Sequence, residues 1–506
     1  MTNITVVQNS NASLPDVPFK ARHLINGNWA NSSDGAVFER RSPSHGIIVS
    51  KACRGTAEDV DAAVASARAA FDDGNWSMSS GKDRATLLLK VADLIDRERE
   101  RIALLEVLES GKPISQARAE IEGASDLWRY AASLARTMYG ESHNTLGKDM
   151  LGVVLKEPIG VVSIITPWNF PFLIVSQKLP FALATGCTCV IKPSEMTPST
   201  TVILGELLME AGCPAGVVNI VLGFGDPVGT AMSTDPRVDM VTFTGSTRVG
   251  KSIVAATSGT LKKVSLELGG KNPQVIMPDA DLDSAADAVA LGVYFNAGEC
   301  CNSSSRILVH EEVAEDFIAR TTELSRRVPF GDPMDLDTKV GAIISAEHQD
   351  KIHAYVQDAA QSGASIRLGG QALEIDGLNG QFYSPTIVAD VAPNMPIARE
   401  EVFGPVLSVL TFKTLEEAIS IVNDADYGLS AGIWSENVHT CLEFARRARA
   451  GTVWTNTWMD GFPEMPFGGM KESGQGRELG RYGLEEFLET KTVTMRIGAT
   501  RGAWVG

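Results

Sequence analysis

The sequence predicts an α/β fold: a parallel sheet wound with helices, a second α/β block, and a small β extension that includes the C-terminal tail. Three observations predict it. Between residues 187 and 257, short apolar runs alternate with helical stretches, the rhythm of β-α-β units and so of parallel pairing. A second block, from about residue 272 to about residue 469, again mixes strand-like and helical runs. The tail run KTVTMRI at 491–497 is strand-like, but nothing beside it in sequence can pair with it.

Each element has its own reason. Residues 1–20 have no basic n-region and no long apolar core, so they read as a polar, loosely ordered leader and not as a signal peptide. Residues 57–71 are alanine-rich with acids in the first turn, which favours a helix. Residues 83–109 carry Leu87, Leu88, Val91, Leu94 and Ile95 at helical spacing. A third helix spans 120–139. The run 153–168 is rich in β-branched residues and broken by Pro158-Ile159-Gly160, so it reads as two strands about a turn. Then come strand 187–194, helix 200–211, strand 217–223, a helix near 227–233, strand 239–245 and helix 249–257. That order is Rossmann-like, a sheet of the dinucleotide-binding kind. The second block contributes strand 305–310 and helices 311–328 and 415–424. The tail strand pairs with 144–163, and an exposed strand edge invites a second subunit. A homodimer or homotetramer is therefore expected.

Bulk numbers narrow the class. The chain has 506 residues, enough for about two or three domains. Hydrophobic residues make up 44% and charged residues 21%, an ordinary globular mix able to bury a large core. A formal net charge of −17 argues against nucleic acid or an anionic membrane as partner. No window is apolar enough to span a bilayer. Seven cysteines do not form a disulfide framework in a chain this large. Cys187, Cys189 and Cys213 read as packing residues, and no metal is expected. The expected compartment is the cytoplasm.

The chemistry lies in two short runs, YFNAGECC at 294–301 and ELGGK at 267–271. The first sets a thiol, Cys301, just past a glycine turn. The second sets a carboxylate, Glu267, before two glycines. A thiolate can attack an electron-poor carbon and hold the product as a thioester, and a carboxylate can activate water to cleave it. This pairing resembles the aldehyde dehydrogenase superfamily. Further motifs follow in family order from about residue 24 to about residue 494: TPWNFP at 166–171, KPSE at 192–195, FTGSTRVG at 243–250, EEVFGP at 400–405, PFGGMKESGQGRELG at 466–480 and KTVT at 491–494. One position departs from the pattern. Glu299 stands where the family usually has Gln, either altering local electrostatics or as a tolerated exposed polar swap.

The resemblance implies an NAD-binding domain over 21–143 and 164–271, a catalytic domain over 272–470, and an oligomerisation segment over 144–163 and 471–506. Gly245 and Ser246 sit at a strand-to-helix turn whose free N–H groups suit phosphate, and Gly225 and Gly229 frame a second turn. Lys192 can donate to ribose hydroxyls and Glu195 can accept from them. A carboxylate there also repels a 2′-phosphate, so NAD is favoured over NADP. The family places Glu401 and Phe403 at the nicotinamide and its ribose. It extends the cofactor set to Ile165, Thr166, Trp168, Ser194, Phe243, Val249, Leu268 and Gly269.

At the reaction centre the resemblance makes Asn169 the oxyanion donor with the Cys301 N–H, and Lys178 with Glu478 a proton path. Cys300 reads as a packed neighbour. Phe170, Ile174, Gln177, Phe295, Asn302, Trp458 and Phe467 line the expected substrate pocket. Gln177 suggests a polar, hydroxylated or amide-bearing aldehyde. Trp458 either faces a cation or simply fills the wall. The implied activity is oxidation of an aldehyde to the acid with NAD. A CoA-acylating form has no need of Glu267, a cysteine hydrolase would want a nearby His, and a non-catalytic protein keeping the fold could lose Cys301 freely.

Overall fold

The computed structural model describes residues 4–7, 17–499, 502 and 505. Its centre is an eight-stranded sheet. Five strands run parallel: Lys263–Glu267, Met240–Thr244, Val161–Ile165, Thr188–Lys192 and Val218–Ile220. Val161–Ile165 lies in the middle. The next two strands in sequence add on one side and the later two on the other. The winding therefore reverses at this strand, where α/β sheets open a crevice beyond their carboxyl ends. Antiparallel edge strands close both sides, Gly474–Gln475 on one and His23–Ile25 with Asn28–Ala30 on the other.

A seven-stranded sheet forms the second block. It carries Pro273–Ile276, Arg306–His310 and Val406–Phe412 at its interior, with one antiparallel pair at its far edge. Each large sheet has its own apolar core. The tail strand Leu488–Arg496 pairs antiparallel with Met150–Pro158 over its full length, and Glu141–His143 adds a third strand. Among the described residues no helix is long and apolar enough to cross a membrane.

The helices form where local chemistry favours them. Thr56 caps Ala57–Asp72 in a reciprocal capping box with Asp59. Ser80 caps Gly81–Ser110, and left-handed Gly111 ends it. The third helix starts at Ile114, ahead of the expected 120, directly after extended Pro113 at the N-cap, and it ends at Ala135.

Three boundaries differ from expectation. Strand Val161–Ile165 is buried throughout, so residues 161–163 belong to the central sheet and not to an oligomerisation segment. The turn falls at left-handed Gly160, within the expected 158–160, and the Asp239 carboxylate accepts from Val161 N there at 2.7 Å. Residues 474–475 likewise join the central sheet, because Ser473 Oγ donates to Gly269 O at 2.8 Å and fixes that segment over ELGGK. The leader is partly ordered. Val6–Val7 pairs in parallel with Phe330–Gly331, and Phe330 N donates to Thr5 O at 3.0 Å. Residues 1–3 and 8–16 of the leader lie outside the described residues.

A buried ion cluster holds the first helices against the site. Lys112, in the turn between Gly81–Ser110 and Ile114–Ala135, donates to Glu106 at 2.9 Å and to both Glu120 oxygens at 2.7 Å. All three residues are buried. The same ammonium lies 4.5 Å from the Phe170 ring centroid, so it also supports the pocket wall. Replacing Lys112 by Met leaves two carboxylates without their counter-charge. The expected cost is about 3–5 kcal/mol, read as a lower urea midpoint at unchanged slope.

Candidate active site

Five chain segments meet at the carboxyl edge of the central sheet. Glu267 ends strand Lys263–Glu267. Thr166, Trp168 and Asn169 follow strand Val161–Ile165, Lys192 ends strand Thr188–Lys192, and Gly245 follows Met240–Thr244. The loop that carries Cys301 comes from the second block. It leaves helix Leu282–Tyr294, and residues 296, 297 and 298 take left-handed φ of 50°, 56° and 75°. Two of the three are not glycine, and such conformations persist only where their surroundings hold them. Asn296 shows how. Its backbone N donates to Gln116 Oε1 at 3.1 Å, and its Nδ2 donates to Asn169 O at 3.1 Å and Glu299 O at 3.0 Å.

Cys301 is anchored from the ELGGK side. Asn272 Nδ2 donates to Cys301 O at 2.8 Å and to Ser303 O at 3.0 Å. Its Oδ1 accepts from Ser430 N at 3.0 Å. A Cβ on Gly270 would lie 2.7 Å from Cys301 O, so only glycine lets the two segments approach this closely. Cys301 is half-buried, whereas Cys300 is buried against Phe170 and Ile174. Cys300 Sγ donates to Asn302 Oδ1 at 2.7 Å. The neighbouring Cys300 thiol and burial push the Cys301 thiol well above its ordinary range.

Asn169 is 4% exposed. Its Nδ2 donates to Glu299 O at 3.1 Å, which uses one of two N–H bonds and leaves the second for a ligand beside Cys301. Glu267 is buried and neither carboxyl oxygen has a donor among the described residues. Burial, then the nearby Glu478 charge, raise it well above the usual carboxylate range. Lys178 opposes this shift, and its Nζ bonds Glu478 Oε1 and donates to Thr242 Oγ1 at 3.0 Å. Cys301, Glu267, Glu478 and Lys178 thus form one electrostatic group.

Glu299 is not an exposed swap. It is 2% exposed, accepts from Ile344 N at 2.9 Å, and lies 3.9 Å from His348 Nε2. Burial raises its carboxyl well above the usual range. The nucleophile loop turns inward here, so the residue at 299 faces the core and not the surface.

The expected dinucleotide residues line the neighbouring crevice. A Cβ on Gly245 would run into the Phe243 ring, and Ser246 caps helix Thr247–Thr257 by accepting from Val249 N. Thr166 Oγ1 is buried with no partner among the described residues. Lys192 Nζ donates to Pro193 O at 3.0 Å and lies 3.5 Å from half-buried Glu195. Ser194 Oγ turns back to accept from Met196 N. Gly225 and Gly229 belong to one helical turn, with space beside Gly225 and Lys192 the nearest group to Gly229. Ile165 and Leu268 pack beneath with Val249. Glu401 accepts from Gly270 N at 3.0 Å, beside Gly269, and desolvation raises it to about 7. Phe403, at φ 58°, meets Trp168 edge-on at 5.4 Å. These groups offer N–H donors at a helix start, an orphan hydroxyl, a Lys–Glu pair and an aromatic ledge. That set fits a dinucleotide.

The pocket wall is an apolar cluster of Phe170, Leu173, Ile174, Phe295, Cys300 and Met459, with Phe170 stacked on Phe295 at 5.9 Å. Half-buried Gln177 is on the same helix, Pro171–Thr185, as Ile174. Trp458 is 3% exposed and packs over Gly292 and Gly432, with Trp454 at 4.7 Å. This packing accords with a wall-filling role. Phe467 is held by paired backbone bonds with Glu478 at 2.7 Å. Met459, Asn272, Asn296 and His348 were not singled out from the sequence. Asn272 and Asn296 sit within or beside the two motifs, which was the available signal. His348 contacts Phe403 O at 2.7 Å from helix Ala346–Gln361, and no local pattern marks it.

Comparisons with known proteins agree with this geometry. The Aldehyde dehydrogenase family profile matches residues 29–493. A betaine aldehyde dehydrogenase from Bacillus subtilis is 42% identical, covering 93% of this chain and 96% of the relative. Retinaldehyde dehydrogenase 3 from Homo sapiens is 43% identical, covering 94% and 93%. Among solved structures, an NAD-dependent aldehyde dehydrogenase from Sinorhizobium meliloti superposes with a TM-score of 0.97 at 49% identity, covering 99% of each chain. A Staphylococcus aureus betaine aldehyde dehydrogenase in complex with NAD+ gives 0.94 at 38% identity, covering 96% and 97%.

Gly298 tests the loop geometry. At its φ of 75° a Cβ would strike Gly404 O, so Gly298→Ala must displace the nucleophile loop from the segment bearing Phe403. Misplacement near 1 Å costs on the order of 100-fold in rate. Steady-state turnover should fall by about that factor while circular dichroism stays native.

Proposed function

The chain belongs to the aldehyde dehydrogenase family, and from that membership we propose that it oxidises its aldehyde through a thioester on Cys301, hydrolysed by water that Glu267 activates. It is an NAD-dependent aldehyde dehydrogenase. The carrying observation is the convergence of Cys301, Asn169 and Glu267 from two domains on one cleft.

Each group has work that suits its surroundings. Cys301 Sγ passes its proton to water and attacks the carbonyl carbon, whose C=O π pair moves onto oxygen. The free Asn169 N–H and the Cys301 N–H hold the alkoxide that forms. Thr166, Lys192, Glu195, Gly245, Ser246, Glu401 and Phe403 would hold NAD, which supplies the hydride acceptor when bound. Glu267, raised by burial and by Glu478, is a stronger base than an ordinary carboxylate and takes a proton from water. The Lys178–Glu478 pair behind it offers that proton an exit. Glu195 supports NAD over NADP. The exposed outer strands Leu488–Arg496 and Glu141–His143 support a homodimer or homotetramer, and seven free thiols support a reducing compartment, the cytoplasm.

Cys301→Ala should abolish aldehyde oxidation and leave NAD binding near wild type. Cys300→Ala should keep most turnover, since its side chain packs into the pocket wall. Kinetics and cofactor titration on both variants check the assignment, and a dead Cys300 variant beside an active Cys301 variant would overturn it.

For substrate class we favour an aldehyde with a hydroxyl, amino or amide group two to four carbons from the carbonyl. Gln177 supports this reading. It has no side-chain hydrogen bond among the described residues, beside an otherwise apolar wall. An alkyl aldehyde would leave it unpaired, at a cost of about 1–3 kcal/mol, or roughly one to two decades in kcat/KM. Gln177→Trp should reverse the ranking of hexanal and a hydroxylated analogue. An unchanged ranking would make Gln177 structural.

A further inference from the structure

Lys271, the last residue of ELGGK, and Arg306, the first of strand Arg306–His310, line one small cleft together with Tyr427, Ser430 and Arg449. Lys271 is 1% exposed and Arg306 3%. Lys271 Nζ, Arg306 Nε and Nη2, and Ser430 Oγ all lack a hydrogen-bond partner among the described residues. No carboxylate lines the cleft. The acids close by are engaged elsewhere. Glu401 accepts from Gly270 N, Glu400 from the Tyr355 hydroxyl at 2.6 Å, and Asp424 faces Arg399 at 2.9 Å. Lys471, a further cation nearby, is already capped by the Asn423 and Ala425 carbonyls.

Buried cations are ordinarily paired, because an uncompensated charge away from water is unfavourable. Here two stand together with their donors unsatisfied. Burial, then the Arg306 charge, lower Lys271 to about 7, as expected where the protein supplies no adequate counter-charge. The space open to a water-sized body is about 10 Å³, close to the ~10–15 Å³ that one water needs and too little for an organic ligand.

We propose that this cleft binds a small inorganic anion of chloride size, held by Lys271 Nζ, the Arg306 guanidinium and Ser430 Oγ. The site is separate from the reaction centre but joined to it by the chain. Lys271 precedes Asn272, whose amide holds Cys301 O, and Arg306 ends the loop that begins at Cys301. A bound anion ties these two segments together and steadies the nucleophile loop.

The test compares the wild-type protein in sodium chloride and in sodium gluconate at equal ionic strength. The melting temperature should rise saturably with chloride, by about 2 °C at a hundredfold excess over the dissociation constant. Lys271→Met and Arg306→Met, which keep the apolar stems, should each lose that dependence. Equal melting in both salts, or an undiminished chloride effect in the variants, overturns the proposal. Should neither variant fold, wild-type crystals soaked in bromide decide it. An anomalous peak between Lys271 Nζ and the Arg306 guanidinium is expected, and density for water alone there, with bromide only at surface lysines, contradicts it.

Discussion

The side-chain amide of Asn272 joins the two halves of this enzyme. It stands where the chain leaves the cofactor sheet for the catalytic sheet, one residue before strand Pro273–Ile276. Its two N–H bonds reach Cys301 O and Ser303 O, and its oxygen receives Ser430 N. All three atoms of hydrogen-bonding capacity face buried backbone groups that would otherwise go unsatisfied. The thiol from one domain is thereby fixed against the carboxylate strand of the other. Gly270 makes the approach possible, and the left-handed turn at 296–298 aims the thiol into it.

Around that joint, electrostatics divides labour between acid–base groups. Burial and then the Glu478 charge raise Glu267, and Lys178 opposes only part of that rise. A carboxyl raised in this way is protonated at lower pH and becomes a base as pH rises. The Cys301 thiol is raised as well, so both covalent steps are expected to quicken with increasing pH. Glu299 adds a third buried carboxyl, facing Ile344 N and away from the reacting groups.

Much of this was legible in the sequence because catalysis writes short, ordered patterns. Cys301, Glu267, Asn169 and Glu478 lie in local motifs, and the β-α-β rhythm pointed to the parallel sheet, whereas its winding point emerges only from the strand order. That the tail strand would pair within 144–163 followed from the lack of any local mate, and the structure narrows the partner to 150–158. What was hidden is tertiary. The burial of Glu299 depends on which way a strained loop turns. His348 and Met459 reach the site from elements with no motif of their own. The boundary at Val161 was misplaced because a strand buried on both faces and an extension strand look alike as β-branched runs. The pairing of Val6–Val7 with Phe330 joins segments over three hundred residues apart, which no local pattern reports.

The division between a thiol that makes the acyl-enzyme and a carboxylate that breaks it is tested most directly by rapid mixing of Glu267→Gln with aldehyde and NAD. The expected trace is a burst of NADH near one equivalent per active site, followed by slow turnover, with intact mass spectrometry finding the acyl group on Cys301. Equal loss of burst and steady-state rate, with no acyl adduct, would contradict that division and place Glu267 before the thioester forms.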